Sequence, residues 1–158
     1  MKPELRKARP LDANELSAVA FAAKRHWGYP EEWIQLWMDE LTVSPEYIEK
    51  NIVISAVENC RIVGWCALVD DAGSCRLDYC WVLPEAMQLG IGRQLIEQAF
   101  TLAAGLGFAA MKVIADPNAL GFYQKLGFKH IGTYPSSPKG RILPVLEARV
   151  GAASNVLE

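Results

Sequence analysis

The spacing of apolar positions changes several times along the chain, and each change predicts an element. Leu16, Val19, Ala20 and Ala23 recur at helical spacing behind Asp12-Ala13-Asn14-Glu15, which reads as a capping box. That helix should stop near His26-Trp27-Gly28-Tyr29-Pro30, where Gly and Pro punctuate the pattern. A second helix is expected over Glu31 to Leu41, carrying Trp33, Leu36, Trp37 and Leu41, and a short helical turn from Ser44-Pro45. Lys7 to Pro10 could form a first strand. Ile52 to Val57 and Ile62 to Val69 are β-branched runs around Glu58-Asn59-Cys60-Arg61, a hairpin signal, and Gly64 marks a bulge or a close approach. After a turn at Asp70 to Gly73, Cys75 to Leu83 predicts a third strand, stopped by Pro84.

The second half follows the same logic. Ile91, Leu95, Ala99, Leu102 and Leu106 predict a long helix, Ala110 to Ala115 a strand, and Asn118 to Leu126 a helix with Ala119, Phe122, Tyr123 and Leu126 on one face. Lys129 to Tyr134 and Arg141 to Ala148 read as final strands around a Pro/Ser/Gly loop. Pro144 suggests that the last strand is an edge or carries a bulge. Residues 1–150 are expected to form one domain, and 151–158 a frayed tail.

Composition narrows the class. With 51% hydrophobic and 22% charged residues and a net charge of −2, the 158-residue chain is a globular composition and offers no basic surface for nucleic acid. No run of eighteen apolar residues exists, and the N-terminus lacks an apolar signal core, so a cytoplasmic location is expected. Cys60, Cys66, Cys75 and Cys80 make no C-x-x-C pair, and with only His26 and His130 no metal is expected. Cys66 and Cys80 read as core packing.

The chemistry concentrates where the third strand ends. Gly90 and Gly92 open the long helix after a short loop. Glycines allow a tight turn and close approach, and a helix start offers unpartnered N–H groups and a favourable dipole for an anion. Arg93 places a cation in that first turn, which suits a bound phosphate. The loop lacks the Lys-Ser/Thr of a P-loop and the third glycine of the dinucleotide fingerprint.

Taken with Asp116-Pro117-Asn118-Ala119-Leu120-Gly121-Phe122-Tyr123-Gln124-Lys125-Leu126-Gly127-Phe128, the stretch resembles the GNAT superfamily of acetyl-CoA-dependent N-acyltransferases. Val82-Leu83-Pro84, Gly90-Ile91-Gly92, and Ala119, Phe122, Tyr123, Gly127 and Phe128 match its two patterns in place and order. Met87 stands where the pattern has Arg or Gln, with Gln88 adjacent, and Asp116 where it has Asn, with Asn118 two residues on. Neither departure removes the backbone amides of the loop. The order of elements fits from about Lys7 to Ala148; the motifs cover the middle third.

The resemblance implies an α/β (α+β) fold: a mixed, mostly antiparallel sheet flanked by helices, with a V-shaped splay between two parallel central strands. It implies acetyl-CoA as co-substrate. Gln88, Leu89, Gly90, Ile91, Gly92 and Arg93 would hold its phosphates. Cys80, Trp81 and Val82 would pair with its pantetheine arm, and Asn118 would complete the site. Tyr123 would be the general acid for the departing thiolate. An amine acceptor must lose a proton before attack, and Asp78, a carboxylate in a mostly apolar strand, is the candidate base; a structural ion pair would account for it equally well. Tyr79 and Glu40 are weaker candidates. His26, Trp27, Tyr29 and Trp33 would line the acceptor pocket, against the competing reading of core packing. The expected acceptor is a small-molecule amine, with a protein N-terminus or lysine open, and a homodimer is left open. A CoA-binding module without turnover is the alternative of a different class.

Overall fold

The computed structural model describes residues 2–150. Seven strands, β1 (Glu4–Lys7), β2 (Ile52–Glu58), β3 (Arg61–Asp71), β4 (Ser74–Val82), β5 (Ala110–Ile114), β6 (Lys129–Pro135) and β7 (Ile142–Arg149), form a sheet in the order β1-β2-β3-β4-β5-β7-β6. β1 runs antiparallel to β2, with Glu4 opposite Val57. β7 runs antiparallel to both β5 and β6. β4 and β5 are parallel, pairing Cys75–Leu77 with Met111–Val113, while β4 itself continues to Val82. The helices are α1 (Ala13–His26), α2 (Glu31–Leu36), α3 (Met38–Leu41), α4 (Pro45–Lys50), α5 (Ile91–Gly105) and α6 (Leu120–Lys125). This is the mixed, mostly antiparallel sheet with flanking helices that the resemblance implies.

The described residues group into two compact units, 2–67 with 79–96 and 68–78 with 97–150. In the first, Leu16, Ala20, Ile34, Trp65, Cys66, Ile91 and Leu95 are fully enclosed, and Trp65 Nε1 donates to the Leu16 carbonyl at 2.9 Å. A buried indole N–H without an acceptor is costly, so this bond fixes how α1 lies on β3. Cys66 is sealed in this core, and burial, with a smaller contribution from Cys80, pushes its thiol well above the ordinary range. In the second unit Leu77, Met111, Val113, Tyr123, Phe128 and Leu146 form the core. Cys75 is buried there and its thiol is pushed up to about 11, by burial first and then by Asp70. Cys80 is only half-buried, which departs from the core role expected of it.

Several expectations shift. The first strand is Glu4–Lys7, earlier than Lys7 to Pro10, because Pro10 opens a 3-10 turn instead. The capping box at Asp12–Glu15 does not form. Asp12 turns back to accept the Arg9 N–H at 2.8 Å, and Glu15 reaches across to accept the Ile62 N–H at 2.8 Å. The expected second helix is two, broken at Trp37, whose φ of −93° and ψ of 8° leave the helical basin. Leu106 lies beyond α5 and is exposed, while Ile96 and Ala103 are buried in its place. The predicted hairpin is present, with left-handed backbone at both Asn59 (φ 53°) and Cys60 (φ 62°), the geometry that matches strand twist.

Pro144 does not mark an edge: β7 lies inside the sheet, and β6 is the edge strand. The Pro144 carbonyl accepts from Ala115 N at 2.9 Å, just past the last β5–β7 pair, Ile114 with Val145. Ala115 and Pro144 are thus the next opposed pair, and Pro144, having no N–H, cannot return the bond, so the proline sits where the β5 ladder ends. The irregularity sits in β6 instead, between His130 and Gly132. The tail expected at 151–158 lies outside the described residues.

Candidate functional site

The strand-to-helix junction is built as a rigid support under an exposed loop. Leu83 N donates to the Val63 carbonyl at 2.8 Å, tying the end of β4 to β3. A 3-10 turn over Pro84–Ala86 follows, then left-handed backbone at Gln88 (φ 65°) and Gly90 (φ 84°). Gly90 takes a conformation that costs a residue with a Cβ. Its carbonyl accepts the Gln94 N–H at 3.0 Å, so α5 starts immediately after it. By helix geometry the N–H groups of Ile91 and Gly92 then have no acceptor within the helix. The Ile91 side chain is buried and anchors the turn, whereas Gln88, Leu89, Gly90 and Arg93 are exposed. The loop offers backbone donors and a helix dipole, and Arg93 adds an exposed cation in the first turn of α5, a set suited to phosphate.

Tyr79, Cys80, Trp81 and Val82, the last residues of β4, are half-buried. Gly64 of β3 lies against them: a Cβ there would stand 3.0 Å from the Trp81 carbonyl oxygen. The Tyr79 hydroxyl donates to the Glu40 carbonyl at 2.6 Å, and its ring lies 5.2 Å from that of Trp65.

An aromatic cluster forms beside this strand end. Tyr29 packs edge-on against Trp37 at 5.0 Å and stacks on Trp33 at 5.9 Å. Into it projects Lys24, whose ammonium lies 4.5 Å from the Trp37 ring centre, 5.1 Å from Tyr29 and 5.8 Å from Trp81. The structure thus brings Tyr29 and Trp33 together with Trp37 and Trp81. His26 and Trp27 pack edge to face on each other at 5.0 Å and are exposed. Lys24 went unnoticed in the sequence, although the signal is there: Leu16, Ala20 and Lys24 share one helical stripe at four-residue steps.

In the second unit Asp116 explains its own departure from the motif. Its Oδ1 accepts both the backbone N–H and the side-chain amide of Asn118 at 2.9 Å, and its Oδ2 lies 3.5 Å from Arg141 Nη2. A carboxylate is the better partner for that enclosed guanidinium. Asn118 is exposed and held by this turn. Tyr123 is buried, 5.3 Å from Phe128 and 5.0 Å from Phe122 in edge-to-face contacts. Asp78 accepts from Arg76 Nη1 at 2.6 Å, and Arg76 also meets Asp71 at 3.4 Å.

Among the described residues no group of three or more His, Cys, Asp or Glu side chains is placed to hold a metal ion, and no helix is long and apolar enough to cross a membrane. Comparison with known proteins agrees with the motif pattern. Residues 49–130, just over half of the chain, match the acetyltransferase (GNAT) domain family. A curated relative, the peptidyl-lysine N-acetyltransferase YjaB of Salmonella typhimurium strain LT2, is 36% identical over 70 residues, 44% of this chain and 47% of that protein. The chain therefore matches about half the length of that relative. The PaiA N-acetyltransferase of Thermoplasma acidophilum, solved with coenzyme A, superposes with a TM-score of 0.78 at 22% identity, over 94% of this chain and 99% of that one. A GNAT family acetyltransferase of Brucella melitensis, solved with acetyl-CoA, gives 0.64 at 26% identity, over 89% and 94%. The chain belongs to the GNAT acetyltransferase family.

Proposed function

We propose that the chain transfers the acetyl group of acetyl-CoA to a primary amine of a small molecule, by direct attack with both substrates bound. The observation that carries this reading is the junction after β4, where left-handed Gly90 (φ 84°) opens α5 beside exposed Arg93. Gln88, Leu89, Gly90, Ile91, Gly92 and Arg93 would bind the phosphates, with Ile91 acting through its backbone because its side chain is buried. Cys80, Trp81 and Val82 would offer backbone partners to the pantetheine arm, and Asn118 would complete the set.

Acetyl-CoA supplies an acetyl group activated as a thioester. The acceptor nitrogen bonds to the acetyl carbon as the carbon–sulfur bond breaks, and the amine's proton and the thiolate's charge must both be accommodated. Tyr123 is proposed to donate its phenolic proton to the leaving sulfur. Asp78, held by Arg76, is proposed to take the proton from the amine. Tyr29 and Trp33, with His26 and Trp27 nearer the surface, are proposed to meet the acceptor. A cytoplasmic setting fits four cysteines of which none is joined in a disulfide.

The test is release of free thiol from acetyl-CoA across a panel of amines, with the acetylated product identified by mass. Turnover with a small amine supports the reading; binding of CoA with no turnover on any amine reduces the chain to a binding module. The similarity to a peptidyl-lysine acetyltransferase favours a second reading, a lysine side chain of a protein as acceptor, so a lysine peptide belongs in the same panel.

A further inference from the structure

The helix pair α2 and α3 is apolar on two sides. Inward, Ile34, Trp37 and Leu41 are buried in the first unit; outward, Leu36 and Met38 keep 54% and 42% of their surface exposed. A surface helix ordinarily turns polar residues outward, so the fold does not account for this second apolar face. Trp37 breaks the helix, yet its N–H donates to the Trp33 carbonyl at 3.0 Å, and Leu41 N donates to the Trp37 carbonyl at 3.0 Å. The four-residue step therefore runs through the break. Glu32, Leu36 and Glu40 fall in line, with Asp39 three positions past Leu36, so the exposed leucine stands among three exposed carboxylates. The charge extends further: Glu31 to Glu49 holds six acidic residues, all exposed, and no Lys or Arg. Arg25 reaches only the first of them, Glu31, at 2.9 Å.

This face adjoins the strand end where the acceptor is proposed to bind: the Glu40 carbonyl accepts the Tyr79 hydroxyl at 2.6 Å. Its charge identifies the occupant. Apolar side chains ringed by carboxylates match a segment that mixes apolar residues with Lys or Arg, whereas an acidic segment, or a second copy of this same face, would be repelled. We propose that the outward face of α2 and α3 docks a basic polypeptide segment and so brings a neighbouring lysine to the end of β4. The inference rests on the second reading above, a protein lysine as acceptor, and deepens it by naming what flanks that lysine. Each exposed charge contributes little alone; selectivity comes from several acting together and from the rejection of acidic flanks.

Short peptides with blocked N-termini and one central lysine test it, carrying Arg, Gln or Glu at the flanking polar positions and the same apolar residues throughout. Thiol release, with acetyl-lysine identified by mass, should give the Arg-flanked peptide a kcat/KM about tenfold or more above the Glu-flanked one, mainly through KM. At about 1 M salt, where charges are screened within a few ångströms, the ratio should fall to within about threefold. Glu32→Lys combined with Asp39→Lys should abolish or invert the preference while the Gln-flanked peptide changes by less than about threefold. Leu36→Ala should raise KM for all three peptides and leave the charge preference in place. Folding of each variant is followed by its thermal shift with acetyl-CoA. If the double variant does not fold, the wild-type salt series and Leu36→Ala decide. Acetylated peptides with no charge preference, or with one that salt and the double variant leave intact, overturn the proposal while the lysine reading stands. Spermidine turned over faster than the Arg-flanked peptide also overturns it, since the carboxylates would then serve a free polyamine. Turnover of small amines with no peptide acetylated removes the lysine reading and the proposal, and leaves acetyl transfer standing. No acetyl-CoA shift and no turnover with any amine removes all three.

Discussion

Gly64 and Trp81 approach so closely that a Cβ on the glycine would lie 3.0 Å from the Trp81 carbonyl oxygen, and 3.2 Å from Ile91 Cγ2 as well. One bare backbone position on β3 thus touches both the strand end and the helix start that make up the proposed cofactor site. Gly64→Ala should cost about 1–3 kcal/mol through overpacking, because two of the atoms it meets belong to a sheet and a buried helix anchor. It should also weaken acetyl-CoA binding by separating β4 from α5. Urea unfolding with and without acetyl-CoA measures both effects; a stable variant with wild-type affinity would show that the junction tolerates the displacement.

Gly90 is constrained differently. No atom lies within 4 Å of a Cβ built there, so space is available and only its φ of 84° demands glycine. Gly90→Ala should therefore cost about 1–2 kcal/mol of conformational strain, and the start of α5 should shift. A larger loss in acetyl-CoA affinity than in stability is the expected pattern. The reverse would make the loop a packing feature.

Tyr123→Phe should lower turnover by about a hundredfold or more while leaving acetyl-CoA affinity close to wild type. The ring contacts with Phe122 and Phe128 survive that change, so the fold should be retained. Turnover at the wild-type rate would return Tyr123 to the core of its unit.

Asp78 has a structural reason for its place in β4, the 2.6 Å contact from Arg76, and a proposed chemical one. Asp78→Asn separates them. As the base it should lose turnover by about tenfold or more and shift the acidic limb of the pH–rate profile. An unchanged limb, with only stability reduced, would leave the residue as the partner of Arg76.

Asp12 predicts how stability depends on pH. Burial alone would raise its carboxyl, but the Arg9 N–H, the Arg9 side chain and Arg6 outweigh burial and hold it below its usual value of 3.8. A depressed carboxyl contributes stability above its unfolded value, and that contribution disappears as pH falls through the lower, folded one. Asp12→Ala should cost about 1–2 kcal/mol at neutral pH and flatten the acid side of the stability curve. An equal loss at every pH down to the acid transition would contradict the ionic account.

Much of this was legible in the sequence because local rules and the fold agreed. The apolar stripe of α5, the Asn59-Cys60 turn and the Gly90-Ile91-Gly92 junction each carry their signal within a few residues. What was missed depends on distant partners. Glu15 gave up a cap for the Ile62 N–H, and Asp12 gave up its own for Arg9. Pro144 looked like an edge residue until its position beyond the end of β5 was known. Asp116 departed from the motif because of Arg141, a partner twenty-five positions away. Lys24 was visible as a charge on an apolar stripe, but the rings around it come from the turn before α2 (Tyr29), the break after it (Trp37) and β4 (Trp81).

The most direct test of the central claim is thermal unfolding of wild type and Gly92→Glu with acetyl-CoA, CoA, ATP and NAD added separately. Wild type should gain about 2.7 kcal/mol at a hundredfold excess of acetyl-CoA over its Kd. ATP and NAD should give much less, and a carboxylate in the first turn of α5 should abolish the gain. No stabilisation by acetyl-CoA, or an equal gain in the Gly92→Glu variant, would contradict the assignment of this loop.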